Sequence, residues 1–224
     1  VDAGPMTDAG PGMTDAGPMT DAGPGMTDAG HDAGGGGFDA GGGGTCMPTV
    51  GSFEISEILI ASQTGSADRG EWFELHNLGT CPIDLNGLVI DVGGVTHTVA
   101  SGLLTAGGFF VLAQTNDMVA NHELGPDYAY GEAIRFGNSG GSLILTHGAT
   151  EIARLTWTST DHRTGRSRQL SRGTSMPSSV GAAGFCDSTD VYSTAVGGPY
   201  LGTPGMVNAV CPRTLEAQAA SAAT

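Results

Sequence analysis

The chain has 224 residues, with 23 acidic side chains against 8 basic ones, for a net charge of −15; every base is arginine. Such acidity is repelled by phosphate backbones, so nucleic acid is not expected as a partner. No run reaches the roughly 18 apolar residues that span a bilayer, so no transmembrane segment is expected.

Residues 1–45 repeat the phrase Met-Thr-Asp-Ala-Gly-Pro, with an extra Gly after every second copy, so the true period is a doublet. Met6, Met13, Met19 and Met26 head the copies, and Phe38 heads a degenerate one inside glycine runs. With seven Asp and no base, this stretch carries nearly half the net charge and too little apolar surface for a core. It reads as a flexible acidic spacer. The competing reading takes the regularly spaced Met6, Met13, Met19, Met26 and Phe38 as an assembly segment that docks into neighbouring subunits. Asp32 and Asp39 among glycines lack the many copies and the apolar anchor of a calcium-binding nonapeptide array. Glycine at every third position, as collagen needs, is also missing. Thr7, Thr14, Thr20 and Thr27 are candidate sites for O-linked sugar. Because the chain starts at Val1 and not at Met, an export signal is expected to have been removed already.

From Cys46 to Cys211 the character changes to short apolar runs separated by Gly, Asn and Asp. The expected strands are 53–61, 70–77, 83–92, 95–99, 108–114, 142–147, 151–158 and 166–172. Turn signals every eight to twelve residues predict an all-β sandwich or barrel. Gly93-Gly94 predicts a two-residue hairpin turn, His147-Gly148-Ala149-Thr150 a second one, and Asn86-Gly87 a bend or bulge. Helical signal is confined to one short turn within 115–125 and to the composition of the tail at 214–223; residues 212–224 are taken as a C-terminal tail. The stretch 174–205, rich in Ser, Gly and Pro, shows no apolar periodicity and reads as a long loop.

Cys46, Cys81, Cys186 and Cys211 fall in no Cys-x-x-Cys pair, and two of them bracket the globular region. Disulfides in an oxidising, exported compartment are expected. Of three connectivities, Cys46–Cys81 with Cys186–Cys211 is favoured, because each bond ties a terminal segment to a nearby element.

Several patterns invite chemistry. Gly137-Asn138-Ser139-Gly140-Gly141-Ser142 is superficially similar to the nucleophile loop of chymotrypsin-like proteases, but Asn138 replaces the acid and no histidine lies in a matching context. Its simpler role is to lead into a strand. The histidines at 31, 76, 97, 122, 147 and 162 follow no metal-ligand spacing, so no metal or other cofactor is expected. Arg166, Arg168 and Arg172 share strand parity and form a candidate anion- or partner-binding ribbon. The favoured alternative is an edge strand kept soluble by charge. Glu71 and Glu74, beside Trp72, are expected to anchor turns through backbone N–H groups.

Five stretches in order carry a resemblance: Ile55-Ser56-Glu57-Ile58; Glu71-Trp72-Phe73-Glu74-Leu75 with His76-Asn77; Ile83 to Ile90 with its Leu85-Asn86-Gly87 step; Leu104 to Leu112; and Thr203-Pro204-Gly205-Met206-Val207-Asn208. Together they resemble the lamin tail domain as found in bacteria, although Ala106 stands where that family often has Pro. The resemblance spans residues 53–208 and implies an immunoglobulin-like β-sandwich. It implies an adhesion or targeting role, in a family whose members often accompany secreted nucleases or phosphatases as accessory units. It brings no shared catalytic residues. The expected function is therefore a non-catalytic, exported structural or binding module at the cell surface, with a protein or cell-surface partner. The alternative is a self-assembling subunit of an extracellular fibre.

Overall fold

The computed structural model describes residues 44–63, 65 and 68–212. The readings placed on Met6, Met13, Met19, Met26, Phe38, His31, the repeat threonines and the tail beyond Pro212 lie outside the described residues.

The described elements are all strands: β1 (Phe53–Leu59), β2 (Trp72–Asn77), β3 (Ile83–Asp84), β4 (Leu88–Val92), β5 (Val95–Thr98), β6 (Leu103–Leu104), β7 (Phe109–Ala113), β8 (Tyr128–Ala129), β9 (Gly140–His147), β10 (Thr150–Thr158), β11 (Arg168–Leu170), β12 (Phe185–Asp187), β13 (Val191–Ser193) and β14 (Tyr200–Leu201). A six-stranded sheet runs β12-β11-β1-β2-β7-β8, and a four-stranded sheet runs β10-β9-β4-β5. Two small pairs, β13-β14 and β3-β6, complete the structure. Pairing is antiparallel except between β7 and β8.

Alternation in β4 turns Leu88, Ile90 and Val92 inward and leaves Val89 and Asp91 half-exposed. Leu143 and Leu145 of β9 join them, and so do Ile55, Phe73, Leu75 and Leu112 of the larger sheet, in one buried apolar cluster. The fold is thus an all-β sandwich. Gly93 and Gly94, at φ 62° and 86°, make the expected hairpin turn between β4 and β5. Gly87, at φ 82°, breaks the single expected strand 83–92 into β3 and β4.

The larger sheet also buries its other face. A bulge in β1 between Ile55 and Glu57 turns Ser56 and Glu57 outward in succession before Ile58 returns to the core. Leu59, Trp72, Val111, Ala113 and Leu124 form a second cluster there, with Tyr192 against it. Burying one indole of about 200 Å² at about 25 cal/mol per Å² contributes roughly 5 kcal/mol, so this layer is a substantial part of the fold.

Two expectations change. The stretch 174–205 holds β12, β13 and β14, whose two or three residues are too short to show periodicity. The strand expected at 166–172 contracts to Arg168–Leu170. The turn near residue 119 does form: Asn121 N–H donates to Asp117 O at 2.9 Å, and Asp117 Oδ1 accepts from Val119 N at 2.9 Å. Both disulfides form as favoured, Cys46–Cys81 and Cys186–Cys211, with Cα separations of 6.0 and 5.7 Å. They mark an oxidising, exported environment. Among the described residues no helix is long and apolar enough to cross a membrane.

Candidate functional site

Three glutamates lie buried around Trp72: Glu57, Glu71 and Glu74. Strands β1 and β2 present Glu57 and Glu74 on the sheet face that the segment 203–208 covers. Glu74 Oε1 accepts from Ser56 Oγ at 2.6 Å, and its Oε2 accepts from Gly205 N at 2.5 Å. Glu71 Oε2 accepts from Phe136 N at 2.7 Å, so both glutamates of the Glu-Trp-x-Glu stretch anchor turns, as the sequence suggested. Glu57 accepts from Thr203 N at 3.0 Å and also bonds Ser167 Oγ. Burial is the main force on all three acids. It raises Glu57 to about 7 and Glu71 and Glu74 to about 8, against partial relief from these donors.

The protonation of Glu57 follows from geometry as well. Thr203 Oγ1 lies 2.8 Å from Glu57 Oε2 and 2.7 Å from Asn208 Oδ1. The identity of Asn208 Oδ1 is fixed, because Nδ2 donates to Ser56 O at 2.8 Å and Leu170 O at 3.0 Å. One hydroxyl proton cannot serve two acceptors. The chain closes when Glu57 is neutral and donates to Thr203, which then donates to Asn208. This polar lock fastens the segment carrying Thr203-Pro204-Gly205 to the central strands.

A second buried cluster joins residues far apart in sequence. Ser62 Oγ lies 2.5 Å from Asp68 Oδ1 and 2.9 Å from His122 Nε2. Asp68 also accepts from Ser62 N at 2.8 Å and Gly70 N at 3.2 Å. An acceptor carboxylate takes the serine proton, so His122 donates to Ser62 Oγ. A hydrolase triad needs the reverse: serine donating to imidazole, with the carboxylate on the far ring nitrogen. His122 stacks on Tyr200 with centroids 3.8 Å apart, and burial lowers its pKa against the opposing pull of Asp68. Ser62, Asp68 and His122 are all buried, and their order makes them a fastening between loops. Sequence reading missed this trio, since 60 residues separate Ser62 from His122 and no local motif links them.

The protease-like stretch also serves packing. Gly137 O accepts from Trp157 Nε1 at 2.8 Å, and a Cβ on Gly141 would sit 2.7 Å from the Trp157 ring. The other histidines are dispersed. His76 pairs with Glu54 at 3.1 Å, His97 with Tyr128 at 2.9 Å and His162 with Thr158 O at 3.3 Å, while His147 lies beneath the Gly87 bend.

The arginine stripe is only partly assembled. Arg168 bonds Asp187 Oδ1 at 2.9 Å and Val180 O at 2.7 Å, and Arg166 donates to Ser188 O at 3.2 Å. Burial pushes Asp187 up, but the guanidinium groups of Arg168 and Arg163 outweigh it and hold its carboxyl below the usual range. Arg172 remains exposed after β11. Arg168 and Arg172 line one cleft of about 630 Å³ beside Cys186–Cys211, and Arg166 does not. Through Gly173 and Thr174 that cleft meets an apolar groove of about 560 Å³, lined by Val50, Phe53, Leu78, Ile152 and Met176. Val50 is 70% exposed and Leu78 53%. A further hollow holding Leu78, Cys46 and Cys81 extends the groove, so it runs from one disulfide to the other. This groove is the candidate binding site.

Fold and site together define an all-β sandwich secured by two disulfides and an inward-facing polar lock. Compared with known proteins, the chain matches no protein-family model and no curated protein.

Proposed function

We propose that this chain is an exported, non-catalytic structural and binding module of the lamin-tail type, displayed at the cell surface on the acidic spacer of residues 1–45. The carrying observation is the contrast between its polar and apolar groups. The clustered acids, serine and histidine turn inward onto backbone and hydroxyl partners, whereas Val50 and Leu78 stand exposed along an open groove. Exposed apolar side chains gathered in a groove are a mark of recognition. The lamin-tail reading is supported by the way two of its stretches meet: Glu74 of the Glu71–Asn77 stretch holds Gly205 of the Thr203–Asn208 stretch. A protein or other cell-surface partner with an apolar contact suits the groove, and Arg172 supplies a cation at its margin.

The test is binding of the purified full chain to intact cells of its source, compared with a Val50→Asp/Leu78→Asp variant. Loss of binding in a folded variant is expected. Equal binding would remove the groove from the account. Turnover of ester, peptide or phosphodiester substrates that disappears in Ser62→Ala would refute the non-catalytic reading.

A further inference from the structure

The two principal sheets end in four edge strands, and three of these are protected. β12 is short and stapled through Cys186 to Cys211. β8 is two residues long. β10 carries the ion pair Glu151–Arg154 on its edge, and Thr156 exchanges main-chain hydrogen bonds with Ser178 O at 2.8 Å and Val180 N at 3.0 Å. Charges, short length and covering segments are the usual guards against edge pairing.

The edge formed by β5, four residues long, bears no charged side chain and no disulfide, and Tyr128 touches it only through the His97 ring at 2.9 Å and the N–H of Ala100 just beyond it at 3.2 Å. Its register with β4 is regular through Val92↔Val95, Asp91↔Thr96, Ile90↔His97 and Val89↔Thr98. The two-residue turn makes Val92 and Val95 a hydrogen-bonded pair. Strict alternation then turns the N–H and C=O groups of Thr96 and Thr98 away from β4. Among the described residues no strand pairs with that side. The strand is Val-Thr-His-Thr, rich in β-branched residues, and no formally charged residue occurs from Val92 to Leu103. In a chain of net charge −15, two copies can meet along this strip without bringing formal charges together.

We propose that β5 is a self-pairing edge that joins two copies of this chain. Antiparallel pairing across a two-fold axis at His97 sets Thr96 opposite Thr98 of the second copy, and the reverse, as the closely spaced bonded pairs. Two four-stranded sheets then become one continuous sheet. The contact is isologous, so it closes at a dimer. A short edge is weak against the entropy of association, so pairing needs a high local concentration, as among many copies displayed on one surface.

Sedimentation equilibrium of the full chain from micromolar to millimolar concentration tests this. The weight-average mass is expected to rise from 22.4 kDa toward twice that value. Thr96→Lys/Thr98→Lys, whose side chains face solvent, is expected to stay monomeric, while Thr158→Lys on β10 should behave as wild type. A wild type that stays monomeric at millimolar concentration overturns the proposal. So does association that persists unchanged in Thr96→Lys/Thr98→Lys.

Discussion

Replacing Glu57 by Gln isolates the polar lock. Glu57 is fully buried, and its carboxyl is raised from 4.5 to about 7, chiefly by burial. In the unfolded chain the group ionises near 4.5, so between pH 4.5 and 7 the folded state binds the extra proton. A raised folded-state value means stability that is complete below about 4.5 and lost as pH climbs through about 7. At 1.36 kcal/mol per pH unit, this one group accounts for about 3 kcal/mol across that window. Gln has nearly the shape of the neutral acid. Its amide N–H can donate to Thr203 Oγ1, and its carbonyl can accept from Thr203 N. Urea unfolding at pH 5 and pH 8 should therefore show Glu57→Gln within about 1 kcal/mol of wild type at pH 5. At pH 8 the variant should be the more stable by roughly 3 kcal/mol. Acidic surface repulsion also destabilises the chain as pH rises, but it acts on both proteins and cancels in the difference. Parallel pH profiles for the two proteins would refute the neutral Glu57 and the hydrogen-bond chain through Thr203 to Asn208.

Other consequences can be measured separately. Gly141→Ala places a methyl 2.7 Å from the Trp157 ring, and thermal unfolding should show a loss of about 1–3 kcal/mol from overpacking. Removing the Cys186–Cys211 bridge with a double Cys→Ala variant opens a loop of sequence separation 25 and should lower stability by about 3 kcal/mol in urea titration. Ser62→Ala strands Asp68 and His122 without their shared hydroxyl, and a loss of about 1–3 kcal/mol is expected by calorimetry.

The strand pattern was largely legible because its signals are local. Alternation in 88–92, the Gly93-Gly94 turn and the Asn86-Gly87 bend all depend on neighbours in sequence, and each forms where expected. Strands of two or three residues such as β12 and β14 carry no readable period and exist through their partners. Glu57 was hidden for a related reason. Strict alternation from Phe53 and Ile55 would place this acid on the core face, and only the bulge beside Ile55 turns it to the other face, where the distant segment at Thr203 buries and bonds it. The arginine ribbon assumed one strand through 166–172, whereas the strand covers only Arg168–Leu170 and Arg168 is committed to Asp187. The Ser62–Asp68–His122 cluster and the groove between the disulfides depend on tertiary approach, which residue spacing does not encode.

The central claim, an exported module held by disulfides and displayed on the cell surface, is tested most directly on intact source cells. An antibody against residues 46–211 is applied before and after permeabilisation, and the recovered protein is mapped without reduction. The account predicts labelling of unpermeabilised cells and peptides linked through Cys46–Cys81 and Cys186–Cys211. Labelling only after permeabilisation, with four free thiols, would contradict it.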